Sequence, residues 1–139
     1  MVAYNFQARF APDVEAGRKL QTIRADGNRR HARIGEAVQL YTGMRRPECR
    51  LLALGICTAT WRVRLSFYPT PKVKMILLDA HGDWLALLTK TTPRELDKFA
   101  KTDGFRDWDA LSDFFIQPPD ANPFEGTLIR WKIDAEEAA

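Results

Sequence analysis

The spacing of apolar residues along this chain switches between a period of two and one near 3.6, and each switch marks the edge of an element. Trp61, Val63, Leu65 and Phe67 alternate with Arg62, Arg64 and Ser66, the pattern of a strand with one face in a core and the other in water. The run before it is almost continuously apolar, so Cys49–Phe67 predicts one or two strands. Ala3–Gln7, Leu20–Arg24, Ala37–Thr42 and GTLIRWKID near the C-terminus predict further strands, and VKMILLDAHGDWLALLTK predicts a hairpin folded at AHGD, where His81 is a turn residue. Helices are announced by different marks. Pro12 opens a short one that Gly17 closes. Thr92 caps a second, with Pro93 first, Glu95 third and Leu96, Phe99 and Ala100 on its apolar face, ending near Gly104. Trp108, Leu111, Phe114 and Phe115 share one face of a third, which Pro118 and Pro119 stop.

Many short strands with brief helices and no regular βαβ alternation predict an α+β domain built on a strongly bent sheet or open barrel. At 139 residues the chain fits one domain, with DAEEAA as a frayed tail. No apolar stretch approaches the ~20 residues of a membrane span. MVAYNFQARF lacks a basic segment followed by an apolar run, so the protein reads as cytoplasmic and without a membrane partner. Two cysteines are too few for a disulfide framework, and His31 and His81 give no zinc spacing, so reduced thiols, no metal and no cofactor are expected. Cys49 and Cys57, in or beside the run CRLLALGIC, read as small buried hydrophobes.

Charge changes the picture more than composition does. Residues 1–50 hold ten Lys+Arg against five Asp+Glu, and residues 51–139 hold eleven against thirteen, so the first part carries +5 and the rest −2. Nine of those ten cations are arginine, whose planar fork suits phosphate. The loop Asn28–Arg33 (Arg29, Arg30, His31 and Arg33), helped by Arg24, Arg45 and Arg46, is the candidate for phosphate contact. Tyr41, beside TGMRR, is the candidate ring for stacking a base. Trp61, Trp84, Trp108 and Trp131 sit in core-like patterns.

The strings VEAGRKLQTIR, IGEAVQLYTGMRR and FAKTDGFRDWDALSDFF, closed by GTLIRW, resemble the ASCH domain, a small barrel related to the PUA RNA-binding fold. The marks are Gly17, Arg18, Lys19, Thr22, Ile23 and Arg24, then Gly35 and Gly43, then Asp103, Gly104 and Phe105, and the resemblance covers roughly half of the chain, over residues 10–46 and 96–131. It implies a PUA-like mixed barrel that binds RNA or a nucleotide in a cleft between barrel and helix. Some members are reported to cut RNA. One branch hydrolyses the acetyl amide of acetylated cytidine with a lysine, a threonine and a glutamate, which fall here on Lys19, Thr22 and Asp103. The acid is one methylene shorter in this chain, and residues 51–90 carry no motif of the family.

The implied chemistry has a physical basis. A threonine hydroxyl becomes a nucleophile when a base takes its proton, and an amine serves as that base when burial or neighbouring cations such as Arg18 and Arg24 lower its pKa. Within a strand Leu20, Thr22 and Arg24 share a face, so Lys19 joins Thr22 only from a turn before the strand, which Gly17 permits. Three functions stand open: RNA or nucleoside binding in a basic cleft, hydrolysis of an amide on a modified pyrimidine nucleoside, and a module whose arginines meet an acidic protein surface. Oligomeric state is not legible.

Overall fold

The structure, a computed structural model, describes residues 1–66, 74–78, 84–87, 93–115 and 124–133. The strands are β1 (Val2–Phe6), β2 (Gln21–Ala25), β3 (Ala37–Thr42), β4 (Arg50–Ser66), β5 (Lys74–Leu78), β6 (Trp84–Leu87) and β7 (Phe124–Ile133). The helices are α1 (Ala11–Glu15), entered through a 3-10 turn at Ala8–Phe10, α2 (Pro93–Thr102) and α3 (Trp108–Phe115). Thr92, the AHGD turn with His81, Pro118, Pro119 and the acidic tail lie outside the described residues.

The segment read as one or two strands is one strand of 17 residues, and it organises the sheet. Along one edge β4 pairs first with β3 and then with β5, while β7 runs along the other edge, all antiparallel. β1 adds to β3 in parallel and β2 adds to β7 antiparallel. The order β1-β3-β4-β7-β2 therefore curls into a half-barrel, with the β5–β6 hairpin continuing beyond β3. Two features let so long a strand curve. The register of β4 against β7 slips between Cys57 and Ala59, the signature of a bulge that bends its strand. At Gly55 a Cβ would lie 2.8 Å from the Lys132 carbonyl oxygen, so only glycine allows the two backbones to close that far.

The curl encloses a core drawn from every layer: Phe6 of β1, Ile23 of β2, Val38 and Leu40 of β3, Cys57 of β4, and Leu128, Ile129 and Trp131 of β7. Ala100, Trp108, Leu111 and Phe115 belong to the same cluster, so α2 and α3 share one core with the sheet. Two expectations are corrected here. Cys49 is exposed, because it ends the turn before β4, and only Cys57 is buried. Trp61 is only partly buried and lies under the Arg130 guanidinium at 5.0 Å, whereas Trp108 and Trp131 are core residues. The side chain of Trp84 is outside the described residues. No helix among the described residues is long and apolar enough to cross a membrane.

Candidate functional site

The edges β1 and β2 carry no ladder to each other, and side chains fill the seam between them. Arg24 on β2 donates through Nη2 to the Asn5 carbonyl oxygen of β1 at 2.6 Å, and its guanidinium lies over the rings of Tyr4 and Phe6 at 5.5 and 4.8 Å. Its Nε donates to Thr22 Oγ1, two residues back on the same strand face, at 3.0 Å.

Lys19 and Asp103 arrive by the same local device, used twice. α1 closes with Gly17 at φ +76°, its N–H reaching Val14 and that of Arg18 reaching Asp13. α2 closes with Gly104 at φ +91°, its N–H reaching Lys101 and that of Phe105 reaching Ala100. Both are the paired glycine closures that satisfy the last carbonyls of a helix. The two closures are joined by the Leu20 N–H, which donates to the Thr102 carbonyl oxygen at 3.1 Å. Lys19 therefore sits in the turn before β2, and Asp103 is the first residue after α2.

There the Lys19 ammonium donates to the Asp103 backbone oxygen and stands 3.7 Å from its carboxylate. Phe10 and Phe6 present ring faces to the same nitrogen at 5.0 and 5.6 Å. Both side chains are only 3% exposed. Burial pushes the Asp103 carboxyl up to about 6, with Lys19, Gln21 and Arg24 pulling the other way. Burial likewise lowers the Lys19 amine, against the pull of Asp103, and Arg24 adds to the lowering. Desolvation thus drives both partners toward neutral forms that their mutual attraction resists.

This pair lines a cavity of about 420 Å³ that opens to solvent, together with Thr22, Arg24, Phe10 and Phe105. Asn5, Phe6, Phe114 and Phe115 complete much of its wall. Of the residues singled out in the sequence, Lys19, Thr22, Arg24 and Asp103 meet here. The remaining candidates lie elsewhere. Arg18 is exposed and pairs with Asp13 at 2.8 Å. Arg30, a candidate for phosphate contact, donates to Glu36 Oε1 at 2.7 Å and so holds its own loop together. Arg29 and Arg33 are exposed on the same loop, and Tyr41 is partly buried on β3 without reaching the cavity. Arg45, at φ 66°, and Arg46 stand outside the cavity wall on the turn after β3, which is moored where the Met44 N–H donates to Asn5 Oδ1 at 3.0 Å. His31, also off the cavity, lies 3.2 Å from Asp26 and 3.3 Å from the Tyr4 hydroxyl.

Sequence reasoning missed Gln21. It is fully buried, donates to Asp103 Oδ1 at 3.2 Å and accepts from Arg130 Nε at 2.9 Å. Those two bonds fix which way its amide points, and with it the carboxylate. Its one visible sign was a glutamine between Leu20 and Thr22 in a strand. The wall of Phe10, Phe105 and Phe114 was also unread: Phe114 at helical spacing passes for ordinary core, and Phe105 stood out only as a mark of the resemblance. Among the described residues no group of three or more His, Cys, Asp or Glu could hold a metal ion. No family model, curated protein or solved structure matches this chain.

Proposed function

We propose that the chain is an ASCH-type domain of PUA-like architecture whose cavity binds a nucleoside, either free or as one residue of a nucleic acid. One observation carries the reading: a Lys19–Asp103 pair with 3.7 Å between its charged groups, almost wholly buried, yet lining an open cavity instead of being sealed into the core. A buried ion pair contributes little net stability, so a pair kept at the wall of a hollow suits recognition better than scaffolding. The volume lies within the roughly 300–1,000 Å³ of small-molecule sites. Its chemistry fits a base: phenyl faces for stacking, and Lys19, Thr22, Arg24 and Asp103 as convergent donors and acceptors for a pyrimidine's carbonyl and amino edges.

A second reading, amide hydrolysis, draws on the bond from Arg24 Nε to Thr22 Oγ1, which favours the alkoxide of that hydroxyl. In that reaction a neutral Lys19 amine takes the Thr22 proton and Oγ1 attacks the acetyl carbonyl carbon. The C–N bond then breaks, the proton passes to the departing amine, and water releases acetate from the threonine ester. One experiment addresses both readings. Calorimetric titration with cytidine and with acetylated cytidine gives saturable binding that Arg24→Met weakens, and the second mixture is assayed for acetate. Binding without acetate leaves recognition alone. Acetate that disappears in Lys19→Met and persists in Arg30→Ala establishes hydrolysis. Absence of binding and of acetate with both compounds overturns the proposal.

A further inference from the structure

Phe105 lines the cavity described above and two further depressions, so three hollows meet at one ring. The first of the others, about 600 Å³, lies beyond the Gly104 turn and gathers Arg18, Lys98, Lys101 and Arg106 around Asp13. Asp13 is occupied by Arg18 at 2.8 Å, and Arg106 lies 3.4 Å from Asp107. Lys98 and Lys101 are exposed and make no ion pair within 4 Å among the described residues, Lys101 acting on the Asp107 carboxylate only from farther away. The third hollow, about 470 Å³, is bounded by Arg9, Asp113 and Phe114. Here the Arg9 guanidinium lies 4.5 Å from the Phe10 ring centroid, 5.0 Å from that of Phe114 and 5.7 Å from that of Phe105. Phe114 is 37% exposed, an unusual state for a ring packed among three other phenylalanines.

Resting on the nucleoside reading of the cavity, we infer that the nucleoside is presented within a single strand of nucleic acid that crosses the Phe105 saddle, its phosphates on Lys98, Lys101 and Arg106 and a neighbouring base on Phe114 beside Arg9. Exposed cations next to an accessible ring are what single-strand surfaces consist of: charge tracks the backbone while π faces accept any base. Arg9 is held over three rings and makes no ion pair within 4 Å among the described residues, which leaves a cation beside the exposed Phe114 ring. The route also differs from the Arg29–Arg33 loop, where Glu36 already takes Arg30 and the N-terminal ammonium.

Lys101 in the last turn of α2 has a competing role, since a cation there offsets the carbonyl end of the helix. The test separates the two. Short labelled single-stranded RNA and DNA are titrated at several salt concentrations against the wild type, Lys98→Glu/Lys101→Glu, Phe114→Ala and Arg29→Ala/Arg33→Ala, with calorimetry of free cytidine run on each. The inference expects strand affinity to fall at least about tenfold in the lysine pair and its salt slope to shrink by about 1.4, about 0.7 for each lost phosphate contact. Phe114→Ala should lose severalfold, and cytidine binding should be unchanged in the lysine pair. RNA tighter than DNA would assign the strand to RNA, the reverse to DNA, and equal affinity to either. Strand binding that ignores Lys98 and Lys101, or that collapses only in Arg29→Ala/Arg33→Ala, overturns the route while cytidine binding keeps the cavity reading intact. Cytidine that fails to bind the wild type overturns the cavity reading itself.

Discussion

Two cation–carboxylate pairs in this protein invert the usual link between good geometry and importance. Arg30 and Glu36 meet through two guanidinium nitrogens, 2.7 Å apart at one contact, on a basic surface loop. Lys19 and Asp103 stand 3.7 Å apart inside the protein. The first pair is the better-formed ion pair and does the smaller job: it ties one loop in a solvent that screens it. The second is looser, and desolvation makes each of its charges costly. Burial works against that pair, and a hollow lies next to it.

The comparison is broken most severely by taking away one partner. Lys19→Met leaves Asp103 buried without its cation and should cost about 3–5 kcal/mol in denaturant unfolding. Lys19→Met/Asp103→Leu should recover most of that, because an apolar pair of similar volume removes both desolvation costs. A double variant no more stable than the single one would show that the carboxylate is held by something other than Lys19.

Next in size is Gly104→Ala. At φ +91° a side chain is disfavoured, and the new Cβ would stand 2.8 Å from Lys19 Cδ and 3.1 Å from a Phe10 ring carbon. About 2 kcal/mol of stability should be lost, with weaker cytidine binding, as Lys19 is displaced. Gly27→Ala, with nothing near its Cβ, is the control.

The pH response separates the pairs by sign. Asp103 titrates at about 6 when folded, above an unfolded value near 3.9, so the folded state holds the extra proton between those limits. Its contribution therefore grows as pH falls from about 6 toward 4 and is lost as pH rises through that window. Glu36 is held well below its ordinary range, first by its bond from Arg30, so its contribution is full above about 4.3 and lost as pH falls below that. Stability measured from pH 3 to 8 should show Asp103→Asn and Glu36→Gln changing the acid limb in opposite directions. Changes of the same sign would refute the distinction. The smallest effect is Arg30→Ala at neutral pH, which should lower stability in denaturant unfolding by less than Gly104→Ala does.

The same contrast explains how much could be read in advance. β3 was legible to the residue, and the alternation from Trp61 onward placed the second half of β4, because period-two patterning is a local property. The bulge at Cys57/Ala59 that makes β4 one bent strand is set by β7, far along the sequence, and left no mark. Lys19, Thr22 and Arg24 stood out through spacing and resemblance, and Gly17 signalled the turn that brings Lys19 to them. Gln21 did not, since its role depends on Asp103 and Arg130, both more than 80 positions away. The pairing of Arg30 was not legible for a related reason. Charge can be counted along a sequence, but Glu36, which neutralises Arg30, is recognised as its partner only in space.

The most direct test of the central claim follows the Lys19 side chain during titration with a free nucleoside. In protein carrying ¹³C at the lysine ε position, assigned through Lys19→Met, added cytidine should shift the Lys19 resonance saturably and leave Lys98 and Lys101 unmoved. Saturable shifts at Lys98 and Lys101 with a silent Lys19, or no shift at any lysine, would contradict the account.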